Sequence, residues 1–137
     1  MTLCDTGVLV GFTESHIATD RAYQSKLTHL ERPLLTTWVC ITEAMYLIGT
    51  RGKGWSAQSL LAKVLMSPMI DIFDIQPADY ARLFSLMSQY QDRPMDLADA
   101  SLVLAAERTG KRKILTIDSD FFFYRVNQKE SFEVIQL

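Results

Sequence analysis

The sequence is poor in the residue types that build disulfide-bonded or zinc-bound folds. Its 137 residues include two cysteines, Cys4 and Cys40, and two histidines. Both cysteines lie among apolar residues, and their spacing matches no zinc motif. We therefore interpret them as buried, reduced thiols of a cytosolic protein.

Long hydrophobic runs are also missing. No apolar stretch approaches the roughly 18–20 residues that a membrane-spanning helix needs. Asp5 interrupts the first apolar segment and Glu14 follows it, a pattern unlike a secretory signal peptide. These absences predict a cytoplasmic protein without a membrane partner.

The chain has no excess of positive charge. Fourteen Lys and Arg residues face sixteen Asp and Glu residues, for a net charge of −2. This balance argues against a protein that grips nucleic acid by bulk positive charge. It is compatible with an enzyme that touches a short piece of nucleic-acid backbone through metal ions.

Glycine and proline are scarce, at six and four residues, and no repeat or linker-like tract interrupts the chain. The length suits one domain over residues 1–137. Short apolar runs alternate with longer amphipathic ones, which predicts an α/β fold with a mainly parallel sheet. We expect strands at 2–4, 34–35, 70–75, 113–117 and 133–137, and helices at 8–30 (in two pieces), 38–48, 56–66, 77–90 and 94–109.

Two acidic residues directly follow predicted strands. Asp5 comes after the first strand, and Asp118 comes after the buried run at 113–117. In an open α/β sheet, ligands bind outside the carboxyl ends of the strands. Both side chains are therefore expected in the same crevice, although an acidic turn is an equally good interpretation of Asp118 and its neighbour Asp120.

Two helices add further candidates. Glu43 lies within the apolar helix 38–48, where a buried carboxylate needs a cation or hydrogen bonds; an exposed outer face is the alternative. Asp96 and Asp99 share the first turn of the helix at 94–109. A helix cap explains Asp96 well. It explains Asp99 less well, because small residues follow Asp99 and indicate close packing.

Several carboxylates with few histidines suit a hard cation such as Mg²⁺ or Mn²⁺. Such ions assist hydrolysis of phosphodiesters by activating water and neutralising charge on the phosphate. Acids collected in one crevice also repel one another, which favours cation binding.

Four segments, taken together, resemble the PIN-domain ribonucleases, in particular the VapC-type toxins of toxin–antitoxin pairs. The matching segments are LCDTGVL (3–9), TEA (42–44), DLADASL (96–102) and ILTIDSDF (114–121). Each is weak alone, but they occur in the family's order and span nearly the whole chain.

The resemblance implies an α/β/α sandwich, cleavage of RNA with Mg²⁺ or Mn²⁺, silencing by an antitoxin protein, and a homodimer. It implies metal-binding and catalytic roles for Asp5, Glu43, Asp99 and Asp118, with accessory roles for Asp96, Asp120, Thr6 and Thr116. Asp118 and Asp120 are closer together than in many relatives, so either acid can be the fourth ligand.

Other functions remain open at this stage. A phosphoryl-acceptor or phosphatase-like domain also places acids at strand ends, but the phosphatase pattern wants an acid where this chain has Gly7. A non-catalytic PIN-fold module that binds RNA or protein is the second alternative. The aromatic run 121–124 is expected to pack on the core, with stacking on RNA bases as the alternative. The basic cluster at 108–113 is expected to compensate a helix dipole, with phosphate contact as the alternative. Arg51 and Lys53 are further candidate RNA contacts.

Overall fold

The computed structural model of the protein describes residues 1–14 and 30–137. Its strands are β1 (Thr2–Cys4), β2 (Leu34–Thr37), β3 (Ile70–Phe73), β4 (Lys113–Thr116), β5 (Arg125–Val126), β6 (Glu130–Ser131) and β7 (Glu133–Gln136). Its α-helices are α1 (Thr6–Gly11), α2 (Trp38–Ile48), α3 (Gly54–Leu65), α4 (Tyr80–Gln89) and α5 (Leu97–Thr109).

A five-stranded parallel sheet in the order β3-β2-β1-β4-β7 forms the centre of the fold. Leu3 on the central strand pairs with Leu35 on one side and Ile114 on the other, and all three side chains are buried. Parallel strands are joined by right-handed crossovers, so the connections leading towards β3 and those leading back to β4 cover opposite faces. The predicted α/β/α sandwich with a parallel sheet is confirmed.

Helix α5 is the most deeply buried helix among the described elements. Residues 98–106 are all buried, and the helix packs against β1, β2, α2 and α4. Ala100, Ser101, Ala105 and Ala106 allow this close approach, because small side chains let neighbouring backbones come near. The helix ends at Gly110, whose φ of 72° is the left-handed conformation that glycine favours at this position.

Helix α2 ends at Ile48, as the sequence predicts. A π-helical segment, Gly49–Lys53, then joins α2 to α3. The Gln58 side chain donates a hydrogen bond to the Met45 carbonyl at 3.0 Å beside this wider turn. A Cβ atom on Gly49 would lie 2.8 Å from the Gln58 amide nitrogen, so a larger residue here would displace the Gln58 side chain.

Smaller differences concern the boundaries of elements. The helix expected from residue 94 begins at Leu97, because the Asp96 side chain caps it. The β5–β6 hairpin was not predicted from the sequence, and its turn places Asn127 and Gln128 at positive φ. The second piece of the helix expected at 8–30 lies outside the described residues.

Within the described ranges, no helix has the length and apolar character required to cross a bilayer.

Candidate active site

Asp5 links the central strand to the first helix. It directly follows β1 and is the N-cap of α1, where its Oδ1 accepts the backbone N–H of Thr6 at 2.7 Å. Its Oδ2 accepts the hydroxyl of Thr116 at 2.8 Å. The residue is only 5% exposed, so these two hydrogen bonds fix the carboxylate in a buried position.

Thr116 joins Asp5 to a second acid. Its hydroxyl oxygen also accepts the backbone N–H of Asp118 at 2.9 Å, while Asp118 Oδ1 accepts the N–H of Asp120 at the same distance. Strands β1 and β4 are neighbours in the sheet, so the residues that follow them emerge side by side. The sheet thus places Asp5 and Asp118 together at its carboxyl edge.

Asp99 reaches the same place from α5. The Asp96 side chain accepts the Asp99 backbone N–H at 2.8 Å and so fixes the first turn of the helix. The Tyr124 hydroxyl donates to Asp99 Oδ2 at 3.1 Å. Asp99 is 7% exposed, which is low for an acid in the first turn of a helix.

The three acids form one cluster. Asp5, Asp99 and Asp118 each offer a carboxylate oxygen, and these oxygens lie within 4.8 Å of one another. They line a cleft of about 570 Å³, together with Thr6 and Glu43 among others. A small molecule or a segment of polymer backbone can enter a cleft of this size.

The cluster is electrostatically unfavourable as it stands. Burial, with added repulsion from Asp96 and Asp5, raises the pKa of Asp99 to about 8. Burial also raises the pKa of Asp5 to about 6, although hydrogen bonds from Thr116 and Thr6 oppose the rise. Among the described residues no Lys or Arg forms an ion pair with any of the three acids. A bound cation would relieve this repulsion.

The donor set fits a hard divalent cation. All three acids offer oxygen, which Mg²⁺ and Mn²⁺ prefer over nitrogen or sulfur. The hydroxyl of Thr6, which lines the same cleft, forms no short, well-aligned hydrogen bond in the described part of the chain. Its interaction with Glu43 opposes the rise that burial causes in the pKa of that carboxyl.

Glu43 stands apart from the cluster. It lies on α2 and lines the same cleft, half-buried, but its carboxylate is not among the three that converge. Burial, and then the charge of Asp96, raise its pKa above the usual range. Sequence reasoning left open whether Glu43 faces the crevice or solvent, and the structure places it on the cleft wall.

The accessory candidates separate into two groups. Thr6, Thr116 and Asp96 all contact members of the cluster, as described above. Asp120 instead turns towards Arg93, with 3.5 Å between carboxylate and guanidinium, and it does not line the cleft. Of the two acids after β4, Asp118 is therefore the one that joins the cluster.

Sequence reasoning missed the role of Tyr124. It placed this residue in an aromatic run that packs on the core or stacks on RNA, and burial of Phe121 and Tyr124 shows the packing. Phe122 and Phe123 remain about half exposed. The hydrogen bond from Tyr124 to Asp99 had no sequence signal, because the two residues are 25 positions apart.

The candidate RNA contacts in the basic cluster are engaged elsewhere. Arg108 pairs with Asp79, Arg112 with Glu130, and Lys113 with Glu31. By contrast, Arg51 lines the cleft, where its guanidinium lies 3.2 Å from Glu14 Oε1. Among the described residues, Arg51 of the π-helical segment lines the cleft, whereas no residue of the cluster at 108–113 does.

Comparison with known proteins identifies the class to which this fold and site belong. The family model described as the PIN domain matches residues 2–129, nearly the whole chain. The chain belongs to the PIN-domain family.

Individual relatives are more distant. The chain is 24% identical over 120 residues to ribonuclease VapC26 of Mycobacterium tuberculosis, covering 88% of each protein. Among solved structures it resembles M. tuberculosis VapC20, described as a toxin that cleaves the sarcin–ricin loop, with a TM-score of 0.72 and 16% identity over 88% of this chain and 92% of that one. A toxin–antitoxin complex from Klebsiella pneumoniae matches with a TM-score of 0.63 and 17% identity over 88% and 90% of the two chains. At such identities the structural likeness establishes the fold alone.

Proposed function

We propose that this protein is a metal-dependent endoribonuclease and the toxin of a toxin–antitoxin pair, acting in the cytoplasm. The carboxylate cluster of Asp5, Asp99 and Asp118 is the observation that carries the proposal, since it suits phosphodiester hydrolysis. Membership of the PIN-domain family and the name of the VapC26 relative support RNA as the substrate.

Asp5, Asp99 and Asp118 would hold Mg²⁺ or Mn²⁺, with Glu43 completing the acidic wall of the cleft. When bound, such an ion supplies Lewis-acid chemistry to the phosphate and lowers the pKa of a bound water. Thr116 keeps Asp5 and Asp118 in a fixed relation through its two hydrogen bonds. Glu43 lines the cleft, where its carboxylate can accept the proton of an attacking water.

Cleavage of total cellular RNA by the purified protein tests the proposal. The protein is incubated with Mn²⁺, with Mg²⁺ or with a chelator, beside the variants Asp5→Asn and Asp99→Asn. Asp71→Asn is the matched control, because Asp71 is an exposed acid on β3 that does not line the cleft. We expect cleavage only with metal, full activity in the control, and a loss of at least about 100-fold in both cleft variants.

The other outcomes are equally informative. Cleavage that both cleft variants retain would mean either that the assigned site is wrong or that a contaminating enzyme cuts the RNA. Metal binding without cleavage of any RNA would favour the non-catalytic module. A phosphoryl group transferred to the protein from a small donor would favour the phosphoryl-acceptor alternative.

An antitoxin partner follows from the toxin assignment, and the toxin–antitoxin complex among the structural neighbours supports it. The test is growth of a bacterial host that expresses this chain under tight control. Wild type should arrest growth, and Asp99→Asn should not. Wild type without effect on growth would contradict the toxin assignment.

A homodimer is the third part of the proposal. Trp38 and Tyr46 on α2 are 60% and 69% exposed and border an apolar groove of about 700 Å³ with Leu97 at the start of α5. Exposed apolar surface of this kind is typical of protein interfaces. Light scattering should give twice the chain mass for wild type, one chain mass for Trp38→Glu, and twice the mass for Trp55→Glu on α3. A monomeric wild type would refute the dimer.

A further inference from the structure

Tyr124 occupies a position that packing alone does not explain. It is fully buried, and its ring makes edge-to-face contacts with Tyr90 and Phe121 at centroid distances of 5.1 and 5.2 Å. A phenylalanine would make the same ring contacts. The hydroxyl group is therefore the feature that needs a reason, and it donates to Asp99 Oδ2 at 3.1 Å.

The segment from Asp118 to Tyr124 contains one of the clustered acids, Asp118, and contacts another, Asp99. Asp118 opens it by capping the short 3₁₀ turn Ser119–Phe122. The backbone N–H groups of Phe123 and Tyr124 both donate to the Asp120 carbonyl, at 2.9 and 3.3 Å, and so close the turn. One short segment thus carries Asp118 at its start and the hydroxyl that contacts Asp99 at its end.

This hydrogen bond engages only one of the two Asp99 oxygens. With Oδ2 accepting from Tyr124, the Asp99 side chain cannot rotate without breaking the bond, and its second oxygen accepts no hydrogen bond from the described residues. Hydrogen bonds of this kind orient ligands and strengthen metal binding.

We propose that Tyr124 is a positioning residue for the metal centre: its hydroxyl holds Asp99 in the rotamer that places its carboxylate in the cluster, and segment 118–124 sets the two acids relative to each other. The proposal rests on the metal site of the proposed function. It assigns Tyr124 no contact with RNA.

The chain offers a matched control. Tyr90 packs against Tyr124 in the same aromatic group, and its hydroxyl accepts the backbone N–H of Arg125 at 3.0 Å instead of contacting an acid. Tyr124→Phe and Tyr90→Phe therefore each remove one hydrogen-bonded hydroxyl from neighbouring rings. Only the first removes a hydrogen bond from the cluster.

The experiment measures Mn²⁺ affinity by titration calorimetry at one fixed pH for wild type and both variants, after thermal melts show that each is folded. We expect Tyr124→Phe to weaken Mn²⁺ binding about 10-fold or more. Tyr90→Phe should stay within about 2-fold of wild type. Equal affinity of Tyr124→Phe and wild type would overturn the proposal, as would equal losses in both variants.

A second measurement does not depend on metal. The side-chain carboxyl ¹³C resonance of Asp99, assigned with Asp99→Asn, should shift in Tyr124→Phe and stay in place in Tyr90→Phe. An unmoved resonance in Tyr124→Phe would overturn the proposal. If wild type binds no Mn²⁺, the proposed metal-dependent function fails. The Asp99 resonance still shows in that case whether the Tyr124 hydroxyl positions the Asp99 carboxylate.

Discussion

The two ends of α5 bury acidic residues in opposite ways. Near the C-terminal end, the Glu107 side chain is 3% exposed and Arg82 donates to both of its oxygens at 2.8 Å. Burial alone would raise the pKa of Glu107, but the hydrogen bonds and charge of Arg82 outweigh it and lower the pKa. At the N-terminal end, Asp99 is similarly buried, pairs with no Lys or Arg in ranges 1–14 and 30–137, and has a pKa raised to about 8.

The difference separates a structural acid from a functional one. A buried carboxylate with an arginine partner is satisfied by the protein itself. A buried carboxylate beside two others is destabilising until a cation binds, and sites with strongly shifted pKa values are often functional. Both ends bury a carboxylate to a similar extent, so the partner decides the role.

The largest expected effect on stability comes from removing the ion pair between Glu107 and Arg82. Glu107→Gln leaves Arg82 without its charge partner and should lower the free energy of unfolding by about 3 kcal/mol. Glu130→Gln is the control, because its pair with Arg112 is half exposed and should contribute less than about 1 kcal/mol. Urea unfolding measures both; equal losses would mean that burial does not distinguish the pairs.

Bound metal should stabilise the folded protein only through Asp99, at the N-terminal end of α5. With free Mn²⁺ at 100 times its dissociation constant, the free energy of unfolding of wild type should rise by about 2.7 kcal/mol. Glu107→Gln should gain the same amount from a lower starting stability, whereas Asp99→Asn should gain little. Melting curves with Mn²⁺ or a chelator measure the gain. A full gain in Asp99→Asn would remove Asp99 from the metal site.

The two ends should respond to pH with opposite signs. The raised pKa of Asp99 means that the folded, metal-free protein keeps a proton that the unfolded chain loses above about pH 4. Stability from this residue is therefore complete below about pH 4 and falls as the pH rises to about 8.

Glu107 behaves in the reverse manner. Its lowered pKa gives stability that is present above the unfolded value and is lost as the pH falls through the folded value. Urea unfolding in chelator at pH 5, 6.5 and 8 should show stability falling with pH in wild type and a smaller slope in Asp99→Asn. An unchanged slope in that variant would assign the pH dependence to other groups.

The smallest effect concerns Asp96, which serves the helix cap and adds charge near the cleft. Asp96→Ala should cost about 1 kcal/mol, because the Asp99 backbone N–H loses its acceptor. Asp96→Asn should change stability by less than about 0.5 kcal/mol, since asparagine caps equally well. Equal losses in the two variants, measured by urea unfolding, would show that charge and not capping matters.

Much of the fold was predictable because its signals are local. The helical period placed α2 at its observed bounds, and buried runs marked β1 and β4. The failures have physical reasons as well. The features that were missed are the π-helical turn after α2 and the β5–β6 hairpin, whose turn residues have positive φ. Neither feature leaves a periodic pattern in the sequence.

The candidate site shows the same division. Acids at strand ends and in a first helical turn could be read from order and spacing, which pointed to Asp5, Asp99 and Asp118. Spacing could not show that Glu43 lies on the wall outside the cluster, nor that Asp120 turns to Arg93. These outcomes depend on side-chain packing between segments that are distant in the chain.

The sequence by itself determined the parallel α/β architecture and the carboxylates at the edge of the sheet. Both can be predicted from the hydrophobic period of short segments and from the order of those segments along the chain. Only the tertiary structure decided which acids converge and which are neutralised. That choice depends on which partner lies within hydrogen-bond distance: Arg82 for Glu107, Thr116 for Asp5 and Tyr124 for Asp99. Such contacts join residues 25 to 111 positions apart, where no local pattern reaches.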